Sequence, residues 1–169
     1  MIRRTREPDL TPLAFDCGRL CGSRCCRGGA DAGMRLFPGE AADSGFTVRD
    51  TADGGRLLLC GGHCDRRVRP LACRIFPLFP YLDGDGRIRA GFDPRAYALC
   101  PLVRARVTPQ LAFIRQVRRA GRRLTADPEG RRFLTGQTTE LRQLGGLIPH
   151  FSPYPHLRRH QAIKRRSSR

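Results

Sequence analysis

Four of the chain's eight cysteines lie within ten residues, in the stretch 17–26, which reads CGRLCGSRCC. The other four follow at Cys60, Cys64, Cys73 and Cys100. Zinc and the iron of iron–sulfur clusters both prefer thiolate ligands, and close spacing lets a short backbone present several thiolates to one centre. The pattern therefore predicts a metal-binding cysteine cluster.

Two of the cysteine pairs are close enough in sequence to act as ligand pairs, although their three intervening residues exceed the usual two of a metal-binding loop. Cys17 and Cys21 are separated by three residues, and so are Cys60 and Cys64. Such pairs fix two ligands at once, and the intervening glycines let backbone and sulfur approach a shared centre. His63 lies beside Cys64 and is either a ligand itself or a hydrogen-bond donor to one; both readings stay open.

Cys25 and Cys26 are adjacent, and neighbouring side chains are expected to diverge. This pair therefore predicts ligands for two centres, or one ligand beside a free thiol. The stretch 17–26 is then incomplete as a site, and the four later cysteines are expected to complete it.

Two other uses of the cysteines compete with metal binding: disulfide bonds and burial as apolar side chains. Disulfides require export, but residues 1–9 are charged and lead into no apolar stretch of signal-peptide length. Burial as small apolar side chains would explain Cys73 or Cys100 singly, but not four cysteines in ten residues. No run approaches the roughly 18 apolar residues of a membrane span. We therefore expect a cytoplasmic protein without a membrane partner.

Short β-hairpins are expected to position the later cysteines. A turn at 53–55 joins apolar runs at 46–49 and 56–59, and the second run leads into Cys60. A second hairpin is expected over 81–89. Residues 69–78 contain two prolines, which predicts an irregular or edge segment. The stretch 17–26 is expected to be a loop with one helical turn, since its glycines oppose a long helix.

Helices are predicted after these hairpins. Asp93 followed by Pro94 predicts the start of a short helix running into Cys100. A helix beginning at Thr108 and Pro109 has an apolar face formed by Leu111, Ile114, Val117, Gly121 and Leu124. Its opposite face carries Arg115, Arg118, Arg119, Arg122 and Arg123. Another helix begins at Asp127, is expected to be interrupted at Gly136, and ends at Gly145 and Gly146.

The resulting fold class is α+β: a small, irregular, metal-stapled domain with short β-hairpins, followed by C-terminal helices. We divide the chain into a flexible lead (1–12), a cysteine-cluster domain (13–103), a helical extension (104–148) and a basic, disordered tail (149–169).

The formal net charge is +17, which is typical of proteins that bind nucleic acid or another anionic surface. However, Lys164 is the only lysine, so the arginine excess also fits codon bias in a GC-rich genome. Tryptophan is absent, and no base-stacking platform is evident. Weak nucleic-acid binding through the arginine face of 109–124 and the tail is kept as an alternative.

Several motifs resemble the YkgJ-type cysteine-cluster family, which is described as a zinc- or iron-chelating domain. They are the 17–26 stretch, LFPGE at 36–40, CGGHC at 60–64, RPLACRIFPL at 69–78, and CPL at 100–102. The resemblance covers roughly residues 15–103. It implies a metal-binding set made of all eight cysteines: Cys17, Cys21, Cys25, Cys26, Cys60, Cys64, Cys73 and Cys100. The family's compact motif spaces its first cysteines two residues apart, so the pairing of ligands here stays open.

The leading functional prediction is a metal-binding protein, non-enzymatic or of unassigned biochemical role, that holds zinc or an iron–sulfur cluster. One alternative is an iron–sulfur redox or protein-modification enzyme. Its candidate acids, Asp83, Asp85 and Asp93, are better explained as turn and cap residues. The other alternative is a metal-stabilised nucleic-acid-binding protein.

Overall fold

The structure, a computed structural model, describes residues 10–27, 33–42, 45–62 and 65–153. Within these ranges the chain forms two small antiparallel sheets, followed by two long helices. This is the α+β arrangement that the sequence predicts. His63, Cys64, most of the predicted flexible lead (1–12) and most of the predicted disordered tail (149–169) lie outside the described residues.

The first sheet has the strand order β1-β3-β2. Its strands are antiparallel, with bounds β1 Gly33–Arg35, β2 Thr47–Asp50 and β3 Arg56–Leu59. The predicted turn at 53–55 joins β2 to β3, where the Thr51 N–H donates to the Gly55 carbonyl at 2.8 Å. The Arg35 guanidinium reaches Asp53 of this turn at 2.7 Å, which ties β1 to the hairpin. The first predicted hairpin is therefore confirmed.

The second sheet is the hairpin of β4 (Leu78–Leu82) and β5 (Ile88–Phe92), also as predicted. In its turn, the Asp83 carboxylate accepts hydrogen bonds from the Asp85 and Arg87 N–H groups at 3.1 and 2.8 Å. Asp83 is thus a turn residue, as the sequence indicated.

The segment 69–78 differs from its prediction. Residues Leu71–Ile75 form a helical turn, α2, which the sequence analysis missed. Pro70 precedes the first helical residue and Pro77 follows the last turn through a cis peptide bond, so the two prolines bound the helix. Pro80 lies in β4, which is tolerated because this strand pairs on one side only.

The two long helices are α4 (Leu111–Leu124) and α5 (Pro128–Gly146). Asp127 caps α5 by accepting from the Gly130 N–H at 2.8 Å, as expected for Asp before Pro. The predicted interruption at Gly136 is wrong, since α5 continues through it. Gly136 is exposed, and tertiary packing along α5 outweighs its low helix propensity.

One face of α4 is buried, as its periodicity predicts. Val117, Gly121 and Leu124 lie in the interior, but Leu111 at the helix start is 58% exposed. A single core of buried side chains joins both long helices to the β4–β5 hairpin and to α2. Tyr81 is fully buried there, and its hydroxyl donates to the Phe92 carbonyl at 2.9 Å.

Gln110 connects the start of α4 to the segment that precedes the first cysteine. Its backbone N–H donates to the Pro12 carbonyl at 2.7 Å. Its side-chain amide donates to the carbonyls of Thr11 and Leu13 at 2.6 and 2.7 Å. The described end of the predicted lead is therefore bonded to the helical part of the chain.

Two helical glycines provide a matched test of this packing. A Cβ on Gly121 would lie 2.6 Å from Ile88 Cγ2 and 2.7 Å from Pro80 Cβ, whereas a Cβ on Gly136 would meet nothing within 4 Å. We expect Gly121→Ala to destabilise the fold by about 1–2 kcal/mol, because overpacking outweighs the gain in helix propensity. Gly136→Ala should stabilise it by roughly 0.5–1 kcal/mol.

Urea unfolding followed by circular dichroism measures both free energies. The two changes in the free energy of unfolding need not be equal in size. A Gly121→Ala variant as stable as Gly136→Ala would contradict the close approach of α4 to the hairpin.

Candidate metal centre

All seven described cysteines line one cavity of about 220 Å³. They reach it from four separate parts of the chain: the 17–26 stretch, the end of β3, α2, and the segment after β5. The set is Cys17, Cys21, Cys25, Cys26, Cys60, Cys73 and Cys100. Cys64 and His63 lie outside the described residues.

The 17–26 stretch has the predicted form of a loop with one helical turn. The turn, α1, spans Gly18–Cys21, and a 3-10 turn follows at Arg24–Cys26. Between them Gly22 and Ser23 both have left-handed backbone angles, with φ of 57° and 53°. Glycine adopts this conformation without a steric penalty, which lets the chain reverse so that both turns face the cavity.

The adjacent pair does not diverge as expected. The Sγ atoms of Cys25 and Cys26 lie 3.9 Å apart. Two thiolates of a tetrahedral zinc site, each about 2.3 Å from the metal, are separated by about 3.8 Å. The 3-10 turn explains the difference, since it brings successive side chains to the same side more closely than an extended chain does.

The later cysteines reach the same cavity on short elements. Cys60 follows the last residue of β3, and its thiol donates to the Cys26 carbonyl at 2.9 Å. Cys73 lies in the middle of α2. Cys100 is the residue before α3 (Pro101–Arg104) and is only 9% exposed. These three cysteines therefore share a cavity with the first four, while their role as ligands stays a prediction.

The thiols interact electrostatically across segment boundaries. Burial, followed by the Cys100 thiolate, raises the pKa of Cys17 to about 11. Burial also raises the pKa of Cys100, with the Cys21 thiolate acting in the same direction. The hydrogen bond between Cys25 and Cys26 lowers the pKa of Cys25 and raises that of Cys26. Several neutral thiols thus lie close enough together to oppose one another's ionisation.

Within the described residues, no group of three or more Cys, His, Asp or Glu side chains is arranged so that it could hold a metal ion. The seven thiols therefore surround the cavity without already forming a coordination shell. All seven are free thiols rather than disulfides.

The cavity wall also contains seven arginines, which sequence reasoning did not assign to the site. Asp16 is the only acidic residue among the described residues that line it. No sequence signal could have separated these arginines from the others, because arginine is abundant along the whole chain.

Arg95 links the cavity wall to the core. Its guanidinium donates to both carboxylate oxygens of Asp93, with Nη2–Oδ2 at 2.6 Å and Nε–Oδ1 at 2.9 Å. The guanidinium also lies 5.9 Å from the centre of the Phe79 ring. Asp93 is 1% exposed and accepts from the Arg95 N–H, so the predicted cap is confirmed, but it caps a 3-10 turn, Pro94–Ala96, rather than a helix that runs into Cys100.

Glu40 is a buried carboxylate that positions α2, and the sequence analysis did not single it out for this role. It is 3% exposed and accepts from the Phe37 N–H at 2.9 Å and from the Ala72 N–H at 3.1 Å. Ala72 is in the first turn of α2, next to Cys73. Burial raises the pKa of Glu40, although these backbone N–H groups favour its charged form.

The β4–β5 turn and the arginines of α4, which were candidates for other functions, do not line the cavity, and most of the basic tail lies outside the described residues. Asp83 and Asp85 do not line it. On α4, Arg115, Arg119 and Arg122 are exposed, as predicted, whereas Arg118 and Arg123 are half-buried. No helix in the described part of the chain is both long and apolar enough to cross a membrane.

Comparisons of the chain with family models, with curated proteins and with solved structures found no match. The YkgJ-type resemblance therefore rests on the motifs alone and stays a prediction. The case for a metal centre depends on the cavity and its thiols.

Substitution of Glu40 tests its role in holding α2. Glu40→Gln replaces one acceptor by an N–H₂ group facing a backbone N–H, so we expect a loss of about 1–3 kcal/mol in the free energy of unfolding. Because its folded pKa lies above its unfolded value, wild-type stability should fall as pH rises from about 4.5 through that raised pKa. The variant should lack this component.

Asp50→Asn is the matched control, since Asp50 is an exposed carboxylate on β2. Denaturant unfolding of the three proteins from about pH 4 to about pH 8 measures both effects. An identical stability for Glu40→Gln and Asp50→Asn at every pH would contradict the proposed role of Glu40.

Proposed function

We propose that this chain is a metal-binding protein whose cysteines hold zinc or an iron–sulfur cluster in the cavity. One observation carries the proposal: every described cysteine lines the same cavity, although the cysteines come from four parts of the chain. Buried cysteines scattered through a core would not converge in this way. The convergence favours a ligand that uses thiolates.

The chemistry of the cavity fits soft metals. Zinc and iron–sulfur centres are both held by four thiolates in their commonest all-cysteine forms. Seven thiols in one cavity are more than a single such centre needs, so the proposal includes both a cluster and a pair of metal ions. Asp16 is the one oxygen-donor carboxylate on the described wall, which does not favour magnesium or calcium.

A bound metal would also stabilise the short secondary-structure elements that carry the cysteines. Three of the elements that carry cysteines are only three to five residues long: α1, α2 and the 3-10 turn Arg24–Cys26. Helices this short are not stable by themselves. Structural zinc contributes on the order of 10 kcal/mol to coupled folding, which is comparable with the whole stability of a domain.

We expect protein purified without chelator, under anaerobic conditions, to contain zinc or iron in stoichiometric amounts by elemental analysis. A brown protein with absorption near 400 nm would identify an iron–sulfur cluster, and a colourless zinc protein a zinc site. Complete chelation should reduce the circular dichroism signal of the fold, because the 17–100 region loses its metal cross-links.

The double variant Cys17→Ser/Cys100→Ser should lose most of the metal, since the half-buried Cys17 and the buried Cys100 belong to the two segments farthest apart in the sequence. Leu99→Ala, which removes an apolar residue of the same wall, should retain it. The proposal is wrong if the wild-type chain binds neither zinc nor a reconstituted iron–sulfur cluster. The structural role of the metal is wrong if complete chelation leaves the fold and its stability unchanged.

Metal affinity should rise with pH. The raised pKa of Cys17, about 11, and of Cys100 means that both thiols carry protons at neutral pH, and a metal must displace those protons. Each proton displaced makes the apparent affinity increase about tenfold per pH unit below the pKa of that thiol. Competition with a chromophoric zinc chelator from about pH 6 to about pH 8.5 measures the slope. A flat profile would contradict displacement of these protons.

The proposal extends to the compartment. Free thiols at this density persist where glutathione and thioredoxin keep them reduced, so we assign the protein to the cytoplasm. A fraction of the chain recovered with intramolecular disulfides from cells lysed in the presence of an alkylating agent would contradict this assignment.

A further inference from the structure

One short stretch of the cavity wall, residues 24–27, is open to solvent. Of the seven described cysteines that line the cavity, only Cys25 is exposed, and the other six are half-buried or buried. Of the seven described arginines that line it, only Arg24 and Arg27 are exposed, and the other five are half-buried. The exposed thiol and the two exposed guanidinium groups thus lie within four consecutive residues, which we call the entrance segment.

The opposite end of the set of thiols belongs to the core. Cys100 is 9% exposed and is a member of the core, and Cys17 packs against the same group of buried side chains. The described thiols therefore differ in depth, from Cys25 at the surface to Cys100 in the interior. Among these thiols, Cys25 is the one that a metal arriving from solvent reaches first.

The entrance segment already holds two sulfurs at a suitable distance for one metal ion. The Sγ atoms of Cys25 and Cys26 lie 3.9 Å apart, close to the separation of about 3.8 Å between two thiolates on one zinc ion. In the described part of the chain, no group of three or more ligand side chains has such an arrangement. Two thiols can therefore bind an arriving metal before the rest of the cavity rearranges.

Arg24 and Arg27 give the entrance segment a positive charge. Neither forms an ion pair with another described residue, whereas Arg35 of the same wall pairs with Asp53 at 2.7 Å. The Arg27 guanidinium is held over the turn, since its Nε donates to the Gly22 carbonyl at 3.1 Å. An entrance of this charge repels a bare metal cation and attracts an anionic metal complex.

We propose that the entrance segment receives metal from a small thiol that carries carboxylate groups, by ligand exchange first at Cys25 and then at Cys26. Carboxylates of the incoming complex pair with Arg24 and Arg27, because guanidinium groups bind carboxylates through paired hydrogen bonds. This inference rests on the proposed metal-binding function and adds to it the chemical form in which the metal arrives.

Each exchange conserves atoms and charge. The Cys25 sulfur forms a bond to zinc as the bond between zinc and one carrier sulfur breaks, and the proton of the Cys25 thiol passes to the released carrier thiolate. The same exchange at Cys26 releases a second carrier molecule as a thiol. No electron is transferred, so the step requires neither an oxidant nor a reductant.

The test measures how fast the reduced, metal-free chain takes up Zn²⁺ from two thiol complexes. Glutathione carries carboxylates and 2-mercaptoethanol carries none, and their concentrations are set so that the free Zn²⁺ concentration is equal. A chromophoric chelator added at timed intervals measures the zinc not yet transferred. We expect uptake from the glutathione complex to be about tenfold faster, because electrostatic attraction raises association rates, and the preference should shrink at high salt.

Three variants assign this preference to the entrance segment. In Arg24→Gln/Arg27→Gln the ratio of the two uptake rates should fall from about ten to about one, since charges at the rim of a site act mainly on the association rate. Arg115→Gln/Arg122→Gln removes the same charge from α4, away from the cavity wall, and should keep the wild-type ratio. Cys25→Ser should take up zinc more slowly from both complexes, because the first sulfur is missing.

The outcomes separate the two proposals. A wild-type chain that binds neither Zn²⁺ nor a reconstituted iron–sulfur cluster overturns the metal-binding function and this inference with it. Equal uptake by the wild type from both complexes overturns the inference alone. So does a preference that Arg24→Gln/Arg27→Gln retains or that the α4 control also loses, and so does a Cys25→Ser variant as fast as the wild type.

Two further arms keep the test decisive. Where elemental analysis finds iron instead of zinc, Fe²⁺ replaces Zn²⁺ in every comparison. If the double variant does not fold, Arg24→Gln alone preserves the bond from Arg27 to the Gly22 carbonyl and should show a smaller fall in the ratio. An unchanged ratio in that variant would overturn the inference.

Discussion

The β4–β5 hairpin is held between α4 and α5, and the distance between two of the cysteine-bearing elements depends on that packing. α2, with Cys73, leads into β4, while the Pro94–Ala96 turn and Cys100 follow β5. The hairpin is fixed to α5 by the Leu82 N–H, which donates to Thr138 Oγ1 at 3.2 Å, and to α4 by the close approach at Gly121. The hydrophobic core thus sets the position of Cys100, which belongs to it, and of α2, which carries Cys73.

Charge is the second constraint on the cavity. Its thiols are neutral when protonated, and burial opposes their ionisation, yet its wall is rich in guanidinium groups. A wall of this kind is stabilised by anions and repels bare cations. Thiolates formed on binding of the proposed metal would add negative charge to a cavity whose wall carries seven arginines. Arginine is abundant along the whole sequence, which suggests a compositional bias. Seven of the arginines nevertheless line the same cavity as the cysteines, so their charge acts on the site.

Much of the secondary structure could be predicted from local signals. The turn at 53–55, the turn around Asp83 and the caps Asp93 and Asp127 depend on residues within a few positions of each other, and all are present. The interruption at Gly136 was wrong because helix propensity is weak beside tertiary packing. Helix α2 was missed because its two prolines lie just outside it, where they end a helix instead of preventing one.

The cysteines of the candidate site could be predicted from the sequence, but the other residues that shape the site could not. A cluster of thiols in ten residues is a sequence signal, and the structure brings Cys60, Cys73 and Cys100 to the same cavity. The role of Glu40 depends on a hydrogen bond to Ala72, 32 residues away, and no local pattern reports such a contact. The spacing of Cys25 and Cys26 depends on a 3-10 turn that their sequence alone does not distinguish from an extended segment.

The contacts of Gln110 have a consequence for chain entropy. They join Thr11 and Leu13 to a residue 97 to 99 positions away, so every cysteine of the chain lies inside one closed loop. A shorter loop of 34 residues is nested within it, closed where the Cys60 thiol meets the Cys26 carbonyl. Closing an inner loop is less costly once its ends are already confined, since the entropy lost grows only with the logarithm of the free length. Residues that carry no sulfur, before the first cysteine and after the last, therefore lower the entropy that must be lost when the thiols come together around the cavity.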